Sequence, residues 1–340
     1  MKTTNLFRLT LLAASMGLVF ACNKSNMNNN GSGSNNGNAD LQTQADDEAQ
    51  VSNEDEAITN DANTALYNQP STAGSGTSSS MGAATTTVMG AGEQTAINGA
   101  GGPILNLICD ASVVVDTANG NRTITITYNG TNCWGNRTRT GVVVISIPEG
   151  VYWRNPGATV TLNIQNLKIT RLSDGKTITL NGTKTITNVS GGLLVDLATL
   201  GSITHTISGS LSITFNNGKQ RVWNVSKERV FSYNNGIVIT TTGTHTDSLG
   251  NSDVAEWGVN RFGTAFESLI SQPKVIRQDC DFRLVSGQNT ILRSDDISTV
   301  ITYGLDANGD PTGCPGSGTY YLKAVVTFPN GTVFTKILPY

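Results

Sequence analysis

The sequence predicts an all-β body, a large antiparallel meander folded into a sandwich or an open barrel, behind an N-terminal tether that is disordered and partly helical. Three observations predict it. From Pro103 onward apolar and β-branched residues alternate with Thr, Asn and Lys, as in Ile124, Ile126 and Tyr128 against Thr123, Thr125 and Thr127. The runs break at Asn-Gly and Asp-Gly pairs, where glycine supplies the positive φ of tight hairpins. No helix of crossover length separates the runs. Period-two alternation marks antiparallel sheet with one wet face, whereas parallel sheet gives unbroken apolar runs.

The chain opens with a short positive region, Lys2 and Arg8, then an apolar segment from Leu9 to Phe20. That segment is shorter than the roughly 20 residues of a membrane-spanning helix. The small Ala21 directly precedes Cys22, so residues 1–21 read as an export signal and are set aside from the fold. Val19, Phe20, Ala21 and Cys22 resemble the lipobox of bacterial lipoproteins, with Phe20 where that box prefers a small residue. The resemblance implies acylation of Cys22 and a mature chain beginning there. Cleavage after Ala21, with a free product, is the other reading.

Residues 22–102 are expected to form a lipid-anchored, flexible acidic tether and linker. Residues 23–38 are almost all Asn, Gly and Ser, the composition of a flexible cord. Between Asn23 and Ala100 stand Asp40, Asp46, Asp47, Glu48, Glu54, Asp55, Glu56, Asp61 and Glu93 against a single basic residue, Lys24. The formal charge of −3 thus hides an acidic stalk and a mildly basic body. Val51, Ile58, Ala62 and Leu66 recur at helical steps, so the stalk can form a weakly amphipathic helix whose docking would be marginal. Its acids read either as ligands for calcium or a cationic partner, or as a solvated, self-repelling spacer; the spacer is the expectation carried forward. From Asn68 to Gly102 the Ser/Thr/Gly/Ala-rich run has almost nothing to bury and reads as disordered linker.

Residues 103–340 form the body, as one domain or two sub-domains. Asp253–Gln272 has helical steps at Phe262, Phe266 and Leu269, but two internal glycines and the flanking strands favour strand. A faint repeat sets Lys184, His205 and His245 at equivalent positions, 21 and 40 residues apart. With strands of about five or six residues, that spacing suggests every second strand of the meander, all running the same way.

Cys109, Cys133, Cys280 and Cys314 remain after Cys22. None lies in a C-x-x-C pair and there are only two histidines, so zinc has little support. In an exported chain an even number reads as disulfides. Of three pairings, Cys109–Cys133 with Cys280–Cys314 is favoured, because each bond joins strands close in sequence.

No catalytic residue is assigned and no cofactor is expected. Neither G-x-S-x-G nor H-E-x-x-H occurs, and His205 and His245 lie in Thr-rich, strand-like runs. Asp279 with Asp281, or Asp295 with Asp296, would serve glycoside hydrolysis only at a separation of about 5–10 Å across a cleft. Asp306, Asn308 and Asp310 begin like a calcium loop, but Pro311 replaces its glycine and Ser317 its final Glu, so a hairpin turn is preferred. Trp134, Trp153, Trp223 and Trp257, with Tyr320 and Tyr321, read as core rather than as a sugar platform. Asp116-Thr117-Ala118 and Asp247-Ser248-Leu249 match a three-residue O-glycosylation signal, too short to inform. The basic residues of the body do not cluster as a nucleic-acid site demands.

The lipobox-like site, the Asn/Gly spacer and the segments "TITITYNGTNCWGNRTRTG", "WGVNRFG" and "FPNGTVFTKILPY" together resemble a family of Bacteroidota lipoproteins over most of Pro103 to Tyr340. The resemblance implies export and anchoring, and carries over no catalytic residue. The expected function is that of a non-catalytic cell-envelope lipoprotein, held by lipid at the outer membrane and presenting its β-rich body for binding or structural duty. Its expected partners are the membrane, through the lipid, and a glycan or an envelope protein, with no nucleic acid. The alternatives are a carbohydrate-binding accessory lipoprotein and a carboxylate- or calcium-dependent hydrolase.

Overall fold

The computed structural model describes residues 35–67, 69–74, 108–118, 122–314 and 318–340. Cys22, the export signal and most of the expected linker lie outside these residues. A helix, α1 (Asn35–Tyr67), and one further turn, α2 (Pro70–Ala73), precede the strands. The strands run β1 (Ala111–Asp116), β2 (Thr123–Thr131), β3 (Arg137–Ser146), β4 (Ala158–Arg171), β5 (Thr177–Asn188), β6 (Ser202–Phe215) and β7 (Gln220–Tyr233). They continue as β8 (Ile237–Gly243), β9 (Val254–Val259), β10 (Ala265–Arg277), β11 (Arg283–Arg293), β12 (Ser298–Leu305), β13 (Tyr321–Thr327) and β14 (Val333–Pro339).

Among the described residues these strands make one antiparallel sheet, with neighbours in chain order. The exception is instructive. β8 pairs with the second half of β7 and β9 with its first half, and both pair with β10 on the other side. They are therefore two collinear pieces filling one position in the sheet. Asp253–Gln272, expected as strand, is the β9–β10 hairpin, with its turn at Asn260–Thr264.

The expected repeat is corrected. Lys184 and His205 lie on β5 and β6, which are adjacent and antiparallel. Strands here reach 12 and 14 residues, so about 20 residues span one strand and its turn rather than two strands.

The sheet curls around α1 as an open barrel, with β1 and β14 at its two ends. Side chains of the helix bond partners on or beside β2, β3, β4, β5, β7, β9, β10 and β11, which is possible only if the sheet surrounds it. Bulges help it to turn. At Asn166 (φ 47°) β4 slips its register against both neighbours. There Gly141 admits close backbone: a Cβ on it would stand 2.6 Å from the Asn166 carbonyl oxygen.

Inward positions are apolar, as in Ile124, Ile126, Val143, Ile145, Val160 and Leu162. The outward face mixes polar residues with scattered exposed valines such as Val114 and Val222. One row across it reads Thr123, Ser146, Thr161, Thr185, Ser208 and Ser226, each directly opposite the next. A membrane-spanning barrel carries an apolar band on that face. This row of the barrel carries hydroxyls instead.

The solvated spacer expected within residues 22–102 is also corrected. Val51, Ile58, Ala62 and Leu66 are fully buried, and so are most of the acids around them. The helix fills the lumen of the barrel. Sparse apolar residues suffice because the opposite wall supplies cations for the remainder.

Candidate functional site

The lumen holds the largest assembly of ionisable groups in the described residues. Strand alternation builds it. On β7, Arg221, Trp223, Val225, Lys227, Arg229 and Phe231 share the inward face, so three cations hang among apolar side chains. Lys184 on β5 and Lys274 on β10 point inward likewise. Two of the ammonium groups lie over rings, Lys227 Nζ 5.5 Å from the centre of Trp223 and Lys274 Nζ 5.3 Å from that of Tyr303.

Asp55, at the middle of α1, is the hub. Lys184 and Lys227 both donate to its carboxylate, Lys227 at 2.8 Å. Lys184 also donates to Thr59 Oγ1 at 2.9 Å. Lys227 reaches Glu256 of β9 at 2.9 Å, and Glu256 accepts from Ser52 Oγ at 3.0 Å. Lys274 donates to Ser52 Oγ at 2.6 Å, so a chain of polar contacts runs from Lys184 through Asp55, Lys227, Glu256 and Ser52 to Lys274. Burial would push the Asp55 carboxyl up, but the two ammonium groups hold it below the ordinary carboxylate range. Lys227 faces Asp55, Glu256 and Glu56, which overcome burial and raise its ammonium. Lys184 shares a single carboxylate, and there burial prevails and lowers it.

Toward its N-terminus α1 offers Asp46 to Arg171 and Lys176, Asp47 to Arg261, and Glu48 to Arg221. Glu48 and Arg221 approach to 2.5 Å without the alignment of a hydrogen bond. Burial raises the Glu48 carboxyl to about 7 and, in spite of the bonds from Arg261, that of Asp47 to about 6. Toward the C-terminus Arg139 joins Asp61 at 2.7 Å and grips Asp110 with two bonds of 2.7 Å.

This arrangement binds a helix; it does not present a nucleophile or an acid–base pair to substrate. Lys184, Lys227 and Asp55 are at most 1% exposed at their side chains. A cleft of about 490 Å³ opens where α1 enters, beside Asp46, Arg171, Asp174 and Lys176, and these charges are paired with one another.

The two expected disulfides are present: Cys109–Cys133 and Cys280–Cys314, with Cα atoms 5.2 and 5.0 Å apart. They place the folded chain in an oxidising compartment outside the cytoplasm. Asp279, Cys280 and Cys314 place an oxygen and two sulfurs within 4.8 Å of one another, but both sulfurs are consumed in the disulfide. Asp306 accepts from the backbone N–H groups of Asn308 and Asp310 at 2.8 and 3.0 Å, organising the preferred hairpin turn. Asp279 and Asp295 accept from Arg277 and Arg293 in exposed turns. His205 is buried between Trp153 and Phe231, and burial, with Arg229 nearby, lowers it to about 3, so it is a neutral core residue. His245 stacks on Trp257 with ring centres 4.2 Å apart. Trp153, Trp223 and Tyr320 are buried, so the aromatic residues do not form a common platform with exposed Trp134.

Sequence reasoning placed the acids in solvent and missed their cationic partners. The signal that could have found them was the run of inward cations on β7. In comparison with known proteins, no family matches the chain, and no curated protein or solved structure is similar to it.

Proposed function

We propose that this chain is a non-catalytic lipoprotein of the cell envelope, acylated at Cys22 and held at the outer membrane, whose barrel serves binding or structural duty. The observation that supports this reading is the position of α1. The helix begins at Asn35 and is gripped inside the body, so only residues 23–34 separate Cys22 from it. Fully extended, 13 Cα steps from Cys22 to Asn35 span at most about 45 Å. The tether is thus much shorter than the 22–102 segment expected from composition. Acyl chains at Cys22 would hold the whole body close to the bilayer. The charges of the lumen are occupied in holding the helix, which favours a non-catalytic role.

Labelling with a palmitate analogue tests the anchor. Wild type is expected to incorporate label and sediment with envelopes, and Cys22→Ser to do neither. Equal labelling of both proteins, or none, overturns the lipoprotein reading.

A further inference from the structure

The bond between helix and barrel is large, charged and non-covalent. Residues 35–67 carry Asp40, Asp46, Asp47, Glu48, Glu54, Asp55, Glu56 and Asp61 and no basic residue. The wall answers with Arg137, Arg139, Arg171, Lys184, Arg221 and Lys227, among others. Beyond α1, the wall also bonds the backbone of residues 71–74: Trp153 N donates to Thr72 O at 2.8 Å, and Arg122 and Arg154 donate to Ser71 O and Gly74 O at 2.7 and 2.6 Å. Both disulfides lie wholly within the barrel, so neither crosses this interface. Chain continuity from Gly74 to Ile108 is the only covalent link between the two parts.

We propose that the lumen is a docking site for an acidic helix as a separate partner, so that residues 35–74 stay seated when the chain is cut between Gly74 and Ile108. Withdrawing the helix would leave buried cations facing one another without counter-charge, a state far costlier than the pair itself. The docking claim stands on the interface alone. Its consequence for the envelope rests on the lipoprotein reading: the body would hang from the bilayer through this ionic joint, not through the link that follows it.

The test uses full-length protein with a specific protease site inserted between Ser79 and Ser80. In the first arm, purified Cys22→Ser protein is cut and passed over a sizing column in native buffer. The two fragments are expected to co-elute, and to separate in denaturant. Separation in native buffer overturns the proposal. The same cleavable protein carrying Asp55→Lys, once cut, is expected to release its helix at least tenfold faster; equal release removes the ionic basis of the joint. In the second arm, envelopes bearing the Cys22 form are cut and washed. More than nine-tenths of the body is expected to stay in the pellet. Release of the body on cutting, with uncut protein retained, refutes the joint. Loss of the uncut protein refutes the lipid anchor instead, and the sizing column then decides the joint.

Discussion

Asp55 and Glu48 stand two turns apart on the same helix, both buried, and burial acts on both carboxyls in the same direction. The results are opposite: Asp55 is held below the ordinary range, while Glu48 rises to about 7. Two ammonium groups donate to Asp55, whereas Glu48 meets one guanidinium out of line, with Glu256 and Asp47 adding repulsion. The difference teaches that the number of counter-charges, not depth, decides whether a buried acid stabilises this fold: Asp46 and Asp55 meet two cations each and are lowered, whereas Asp47 is raised in spite of its bonds to Arg261. The helix is locked at Asp55 and again near its entrance at Asp46, and Glu48 between them is the weakly compensated acid.

The strongest way to break this contrast is Asp55→Ala. It strands Lys184 and takes one of three counter-charges from Lys227, and should destabilise the protein by about 3–5 kcal/mol in urea unfolding. A loss below about 1 kcal/mol would show that the lumen hydrates its cations. Next comes the pH profile. With its folded value raised from 4.5 to about 7, Glu48 contributes stability that is complete below pH 4.5 and lost as pH rises through about 7. The full contribution is at most about 3 kcal/mol. Glu48→Gln should flatten the rise in Tm between pH 8 and pH 5; an unchanged slope would mean that Glu48 titrates normally. Asp55 has the opposite sign, and its contribution is lost only as pH falls below 3.8. The smallest effect sharpens the comparison at the surface. Asp306 is satisfied by backbone N–H groups in water, so Asp306→Ala should lower Tm only slightly, and calcium should leave the Tm of both proteins unchanged.

Much of the barrel was legible because period-two alternation, glycine turns and cysteine spacing are local signals. The β9–β10 hairpin and both disulfides follow from them. The helix was not. Its acids looked like a solvated spacer because their partners lie far along the chain, as with Asp47 and Arg261. Yet Arg221, Lys227 and Arg229 share a strand face with Trp223 and Phe231, and cations at core positions demand a buried counter-charge. The repeat containing Lys184 and His205 failed for a different reason: an assumed strand length does not hold in a sheet that must reach along a 33-residue helix.

Among the described residues, the first element of the chain is the one that the later strands enclose. Gln44 accepts from Arg293, a contact that bridges 249 positions of sequence. Such distant pairings make assembly slow, because entropy is lost in closing long loops before any contact compensates. The leading segment of a nascent chain thus meets partners for Glu54, Asp46 and Asp55 as β3, β4 and β5 emerge, but waits for β10 and β11 before Lys274 and Arg293 complete its contacts.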